Sequence, residues 1–400
     1  MRILIDGQTL ATPEIRRGIG VYFRNTIENV LANDLSNDYH IVANDVRQLE
    51  WFSPWARERI GFLENNQLNS SVFEGERTDQ YSAFINRTIE NDDVDLYWTP
   101  NPLMTNALLA RRESPRATFA ATVFDLIPLV MRDQYEREWP RHIFKNYLAR
   151  LEILKRDYDL FLHISTCTRD DFQRLLPEDG KPNVVTLLAA SERFRPYRFP
   201  QFSQTRSYIL FPGGFDPRKN MDRALEAFAR LVQQYPDDAV VQTTDLVIAC
   251  HCTDASRASL QKWARKLGVA DKIQLTGYVS DDEIVKLYQN ARCLFFPSLY
   301  EGFGLPVLEG LACGLPIAAS HVSSIPEIAG DLAYYFDPCD IEEMTSVLYR
   351  ALYAPRDLES RSERSKYAQG FSWMKTALST IEAWNYALQN RARSASAGSA

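Results

Sequence analysis

Short apolar runs alternate with helix-period segments along most of this chain, and that alternation limits the possible folds more than any other feature. In the second half, residues 208–211, 246–249, 272–275, 293–296 and 316–319 read as strands. Between them, residues 220–235, 255–267 and 281–290 carry apolar side chains at helical spacing. Strands that are apolar on both faces need cover on both faces, which points to a parallel sheet with helices above and below. The first half repeats the pattern. Residues 2–6, 40–43, 95–102, 117–125, 160–165 and 183–188 read as strands, and 21–31, 134–158 and 168–176 as helices. Each half opens with a strand, a glycine turn and a helix: Gly18-Ile19-Gly20 in the first, Pro212-Gly213-Gly214 in the second.

The expected fold is therefore α/β, with two Rossmann-like domains facing one another across a cleft. They span residues 1–190 and 206–371. The linker falls in 191–206, where Arg, Pro, Phe and Ser interrupt all periodicity. A length of 400 residues suits two cores better than one. Residues 7–17 read as a polar loop, and 50–90 give mixed signals. A last helix is expected at 372–392, with a disordered tail at 393–400.

A net charge of −7 argues against nucleic acid as a partner. The six cysteines follow no framework spacing, which fits reduced thiols in the cytoplasm. Cys250-His251-Cys252 has no second ligand pair at finger-like spacing, so no metal is expected. No apolar run reaches the length of a membrane span, and the N-terminus becomes charged too early for a signal peptide. The expected location is cytoplasmic, with peripheral membrane contact the further option. The basic, aromatic helix at 134–158 reads either as a membrane-facing element or as an ordinary surface helix, since acidic residues are interleaved.

Chemistry is concentrated around residues 295–309, FFPSLYEGFGLPVLE. This reads as strand, loop and helix start, with Pro306 in the first turn and Gly314 at the stop. Such a start offers backbone N–H groups and a positive dipole end to an anion. Glu301 in the loop and Glu309 on the helix can each reach sugar hydroxyls. Arg218 and Lys219 follow the first strand of the second domain, at a helix start that disfavours cations unless an anion is expected there. Arg presents a fork to phosphate oxygens and Lys a point charge. Tyr278, after a glycine turn, reads either as a cover for a nucleobase or as core. Gly18 and Gly20 read either as packing glycines or as points of ligand approach.

These residues carry a resemblance. GGFDPRKN, LTGYV, FFPSLYEGFGLPVLEGLACGLPIAAS and SSIPEIAG, preceded by RRGIGVYFRN, FDLIP and HISTCTRDDF and followed by FSWMKTA, resemble the retaining, nucleotide-sugar-dependent glycosyltransferases of the GT-B fold. The mannosyl- and rhamnosyltransferase subtype is the most similar. The resemblance implies that the last helix crosses back to the N-terminal domain. It implies that Glu309 binds the ribose, that Glu301 contacts the donor sugar, and that Arg218 and Lys219 grip the diphosphate. Gly302, Phe303, Gly304 and Leu305 would hold sugar and phosphate through their backbone. Gly18, Gly20, Gly214 and Tyr278 complete the implied donor site, and Asp125 joins Glu301, Arg218 and Lys219 as catalytic. No cofactor or metal is implied. Related sequences often carry His before the Asp of the Asp-Leu-Ile-Pro element, where this chain has Phe124. His163, within a strand, reads as a core histidine and a poor substitute.

The function expected from this resemblance is transfer of a hexose, with retention, to a saccharide or lipid-linked oligosaccharide in surface polysaccharide synthesis. GDP-mannose is the favoured donor, with dTDP-rhamnose or a UDP-hexose as alternatives. A sugar-nucleotide 2-epimerase on the same architecture, or a non-catalytic partner of other glycan-assembly enzymes, is the rival reading.

Overall fold

The computed structural model describes residues 1–16, 18–65, 75–177, 180–197 and 207–397. The chain forms two compact units, one of 1–188 with 372–400 and the other of 189–371. Part of the expected linker, 198–206, lies outside the described residues, as does part of the ambiguous 50–90 region, 66–74.

The first unit holds a seven-stranded parallel sheet in the order β3-β2-β1-β4-β5-β6-β7. Its strands are β1 Arg2–Asp6, β2 Asp38–Ala43, β3 Ile60–Glu64, β4 Leu96–Thr99, β5 Thr118–Val123, β6 Leu160–His163 and β7 Asn183–Val185. The second unit holds a six-stranded parallel sheet in the order β10-β9-β8-β11-β12-β13. It consists of β8 Ser207–Phe211, β9 Thr244–Ile248, β10 Ile273–Leu275, β11 Cys293–Phe296, β12 Ile317–Ser320 and β13 Ala333–Phe336. In both sheets the strand order reverses beside the opening strand, between β1 and β4 and between β8 and β11. Ligands of open parallel sheets bind beyond the carboxyl ends of strands at such a reversal.

The central strands β4, β5, β6, β9, β11 and β12 are buried along their whole length, with mostly apolar side chains and a few buried polar ones such as Thr122 and Asp245. Tyr97, Phe119 and Tyr158 pack edge to face in the first core. Ile209, Phe228, Phe295 and Phe336 belong to the second.

Several sequence expectations change. Residues 7–17 contain two short 3₁₀ turns, Gln8–Ala11 and Pro13–Arg16, in place of an open loop. The single helix at 134–158 is two, Arg132–Glu138 and Arg141–Asp157. Pro140 divides them: it has no N–H to give, and it biases Trp139 before it to the extended backbone seen there. The aromatic residues of the longer helix, Phe144 and Tyr147, are buried in the core, and Arg150 turns inward to donate to the carbonyl oxygen of Pro102 at 2.7 Å. That leaves the outer face polar. Strand β13 and the helices Ile341–Leu352 and Leu358–Ala368 were not anticipated. The last helix, Trp373–Ala397, runs through most of the stretch expected to be disordered, and residues 398–400 lie outside the described ones. It docks in the first unit, where Trp384 meets Trp98 edge to face at 5.3 Å and Thr376 Oγ1 donates to the carbonyl oxygen of Leu187 at 2.5 Å. Among the described residues, no helix is long and apolar enough to cross a membrane.

Candidate functional site

The chain brings two loops together at the strand reversal of the second unit. One leaves β8 and carries Gly213, Gly214, Asp216, Arg218 and Lys219. The other leaves β11 and carries Ser298 and Glu301. The first loop closes as a 3₁₀ turn, Pro217–Lys219, started by Asp216, whose Oδ1 accepts from the Arg218 N–H at 3.0 Å. Asn220 then takes a left-handed conformation, φ 60° and ψ 38°, and the helix Met221–Gln234 begins after it. Arg218 and Lys219 thus sit in a turn of their own, just ahead of the helix N-terminus.

Three hydrogen bonds fasten this turn. The Leu299 N–H donates to the Arg218 carbonyl oxygen at 2.7 Å. Asn220 Nδ2 donates to the carbonyl oxygens of Pro297 and Pro338 at 3.0 and 2.8 Å.

Glu301 lies between the two cations. Its Oε2 accepts from Arg218 Nη1 at 2.7 Å, and its Oε1 from Lys219 Nζ at 2.6 Å. Arg218 Nε also donates to Asp216 Oδ2 at 3.0 Å, and the Lys219 ammonium stands over the Phe296 ring at 5.0 Å. Burial alone would raise the Glu301 carboxyl pKa, but the charges of Lys219 and Arg218 outweigh it and hold the group below its ordinary value. Burial draws Lys219 below its ordinary value, with Glu301 opposing. The Glu301 backbone is fixed independently. Its N–H donates to Ser323 Oγ, and its carbonyl oxygen accepts from Ser324 Oγ, each at 3.0 Å.

Downstream, Gly304 has φ +91°, a value that favours glycine, and leads into the helix Leu305–Ala312 with Pro306 in its first turn. The first N–H groups of this helix have no acceptor within it. Gly302 and Phe303 are buried, and Phe303 meets Phe371 edge to face at 6.3 Å. Glu309, on the second turn, is partly buried and hydrogen-bonds the hydroxyl of buried Tyr288; burial pushes its carboxyl up to about 8. Gly213 is required by packing, because a Cβ there would meet the Phe211 ring at 2.4 Å. Gly214 is less confined, its nearest neighbour Cys250 lying at 3.9 Å. Tyr278 is 72% exposed, which settles against core. Among the described residues, no group of three His, Cys, Asp or Glu side chains is placed to hold a metal ion.

Residues 195–371 match the family of glycosyl transferases group 1. The chain is 29% identical over 289 residues to O-antigen chain mannosyltransferase B of Escherichia coli, covering 66% of this chain and 70% of that one. It is 27% identical over 284 residues to the serotype-specific mannosyltransferase WbdA of the same organism, of which it covers 33% of the length. Among solved structures, the sucrose-phosphate synthase of Thermosynechococcus elongatus superposes with a TM-score of 0.70 at 17% identity, over 96% of this chain and 98% of that one. The chain has the GT-B fold, and its residues 195–371 are those of a group 1 glycosyl transferase domain.

The remaining expected residues belong to the first unit. Gly20 is a packing glycine: a Cβ there would lie 2.1 Å from the Ile15 carbonyl oxygen. Gly18, at the start of the helix Gly18–Asn33, has nothing within 4 Å of the same position, so the fold alone does not demand glycine. Asp125 follows β5, and its Oδ1 accepts from the Ile127 N–H at 3.1 Å, starting the short helix Ile127–Val130. Phe124 packs edge to face on Tyr22 at 5.1 Å. His163 is a core residue: it is fully buried, its Nε2 pairs with Asn183 Oδ1 at 2.7 Å, and burial pushes its pKa down to about 4. Sequence reasoning missed Asp216, Asn220, Ser298, Ser323, Ser324 and Tyr288. Asn220 had a readable signal, since Asn is the side chain best suited after glycine to a left-handed residue ahead of a helix.

Proposed function

We propose that this chain is a nucleotide-sugar-dependent mannosyltransferase. It moves mannose from GDP-mannose to a saccharide or lipid-linked oligosaccharide acceptor in the assembly of a surface polysaccharide such as an O-antigen chain. The observation that carries this reading is the cluster of Arg218, Lys219 and Glu301 at the β8/β11 reversal, beside the helix start at Gly304. Two cations and the N–H groups of a helix start suit a diphosphate, and two carboxylates suit sugar and ribose hydroxyls. The names of the relatives support mannose over other hexoses.

In this reading, Arg218 and Lys219 hold the diphosphate and stabilise the charge that grows as the bond from sugar C1 to phosphate oxygen breaks. The N–H groups at Gly302–Leu305 take phosphate and sugar oxygens, Glu309 takes the ribose, and Tyr278 lies over the base. The acceptor oxygen bonds to C1 on the face the phosphate leaves, and its proton passes to a departing phosphate oxygen, so configuration is retained. The test is to incubate the protein with GDP-mannose, UDP-glucose or dTDP-rhamnose and a mannose-terminated oligosaccharide. Released nucleoside diphosphate and the anomeric proton of the product are then followed by NMR. Release from GDP-mannose with a retained α-linkage is expected. Turnover of only a UDP or dTDP sugar would refute the donor, and an inverted product would refute the mechanism.

A further inference from the structure

The two cations proposed to grip the donor are already occupied. Arg218 and Lys219 face two carboxylates, Glu301 and Asp216, so the formal charges of the cluster cancel. A nucleoside diphosphate entering a neutral cluster gains little unless one carboxylate yields. Asp216 is fixed by its bond to the Arg218 N–H within the 3₁₀ turn. Glu301 is anchored separately at its backbone, through Ser323 and Ser324, while its side chain meets Arg218, Lys219 and Ser298. Its side chain can rotate off the cations while the loop stays in place.

We infer that Glu301 is a built-in counter-ion that competes with the diphosphate for Arg218 and Lys219, and so helps to expel the spent nucleotide. This rests on the donor site proposed above. When the complete donor binds, its sugar hydroxyls offer the displaced carboxylate new partners, so displacement costs little. After transfer the sugar is gone and the freed carboxylate has no hydroxyls to meet. It returns to the cations and the nucleoside diphosphate leaves. The perturbed ionisation of Glu301 and Lys219 agrees with tight mutual pairing in the ligand-free state. In this role Glu301 acts through the cations as a positioning residue, besides any contact with the sugar.

The test is calorimetric binding of GDP, UDP and dTDP, each without sugar, to the wild-type chain and to Glu301→Gln. Glutamine keeps the shape and removes the charge. The nucleotide that binds the wild type best is expected to bind the variant about tenfold more tightly, whereas the matching nucleotide sugar gains nothing or weakens. Product inhibition in turnover should strengthen in parallel. General damage to the site would weaken both ligands, so the opposite signs separate the two explanations. Equal or weaker nucleotide binding by the variant overturns the inference and leaves the donor site standing. Absence of binding by all three nucleotides to the wild type overturns the donor site and the inference together. If Glu301→Gln does not fold, Glu301→Asp decides. It is one methylene too short to hold both cations, and tighter nucleotide binding is again expected.

Discussion

Replacing Asn220 tests how the cation-bearing turn is held. Three features of this side chain and its backbone can be separated. Its backbone is left-handed, φ 60° and ψ 38°, which costs an ordinary L-residue about 1 kcal/mol or more. Its Nδ2 serves two carbonyl oxygens, those of Pro297 and Pro338. Its Oδ1 accepts from Arg223 Nη1 at 3.1 Å. The residue is only 5% exposed, so water replaces those bonds poorly, and each is worth about 1 kcal/mol. Asn220→Ala loses the bonds and adds strain, for an expected loss of about 3–4 kcal/mol. Asn220→Gly loses the same bonds but relieves the backbone, and should recover about 1 kcal/mol of that. Urea denaturation of the three proteins, followed by far-ultraviolet circular dichroism, measures the difference. Both variants should also raise the donor KM, because Arg218 and Lys219 are tied to the β11 loop partly through Asn220. A glycine variant no more stable than the alanine variant would refute the strain argument. An alanine variant within about 1 kcal/mol of wild type would refute the bonding argument.

The two N-terminal glycines should behave oppositely. Gly20→Ala drives a methyl into the Ile15 carbonyl and should cost about 1–3 kcal/mol in denaturation. Gly18→Ala should leave stability within about 0.5 kcal/mol, so a fall in its transfer rate would report backbone approach to the donor, and unchanged turnover would remove Gly18 from the site. Tyr278→Ala should not shift the melting temperature, given its exposure, but should raise the KM for the donor; an unchanged KM would detach it from the base. Glu309 gives a pH signature. Its folded pKa, about 8, lies above its ordinary value of 4.5, so the folded state holds the extra proton between them. Its contribution to stability is present at low pH and is lost as pH rises through that window. Glu309→Gln should flatten the fall in unfolding free energy between pH 5 and 8; an identical pH slope in the two proteins would refute the raised pKa.

Much of the sheet architecture was legible because parallel strands buried on both faces must be apolar runs. Phe295 and Phe296 in β11 and Leu162 in β6 show this directly. The paired glutamates and the adjacent cations were also legible as residue types. The resemblance put them in one donor site, but their direct pairing was not legible. Glu301 and Arg218 lie far apart in the sequence, and they touch because β8 and β11 are neighbours in the second sheet. That adjacency is a property of topology, which local pattern does not encode. At Gly20 a nearby carbonyl oxygen shows that packing needs glycine, and at Tyr278 exposure to solvent excludes a place in the core. Pro140 is different, for its break in the helical pattern was written in the sequence and was passed over because apolar periodicity continues on both sides.

The membership of the last helix has a consequence for how the protein is made. The helix Trp373–Ala397 belongs to the first unit, so the first unit is split in sequence and the second is inserted whole within it. A ribosome therefore finishes the second unit before it has supplied the last piece of the first. Trp98 waits for Trp384 through that synthesis, with apolar surface uncovered meanwhile. A stop codon shortly after residue 371 would spare every residue of the donor cluster and still cripple the protein, by denying the first unit its cover. Residues 189–371, by contrast, form one uninterrupted stretch.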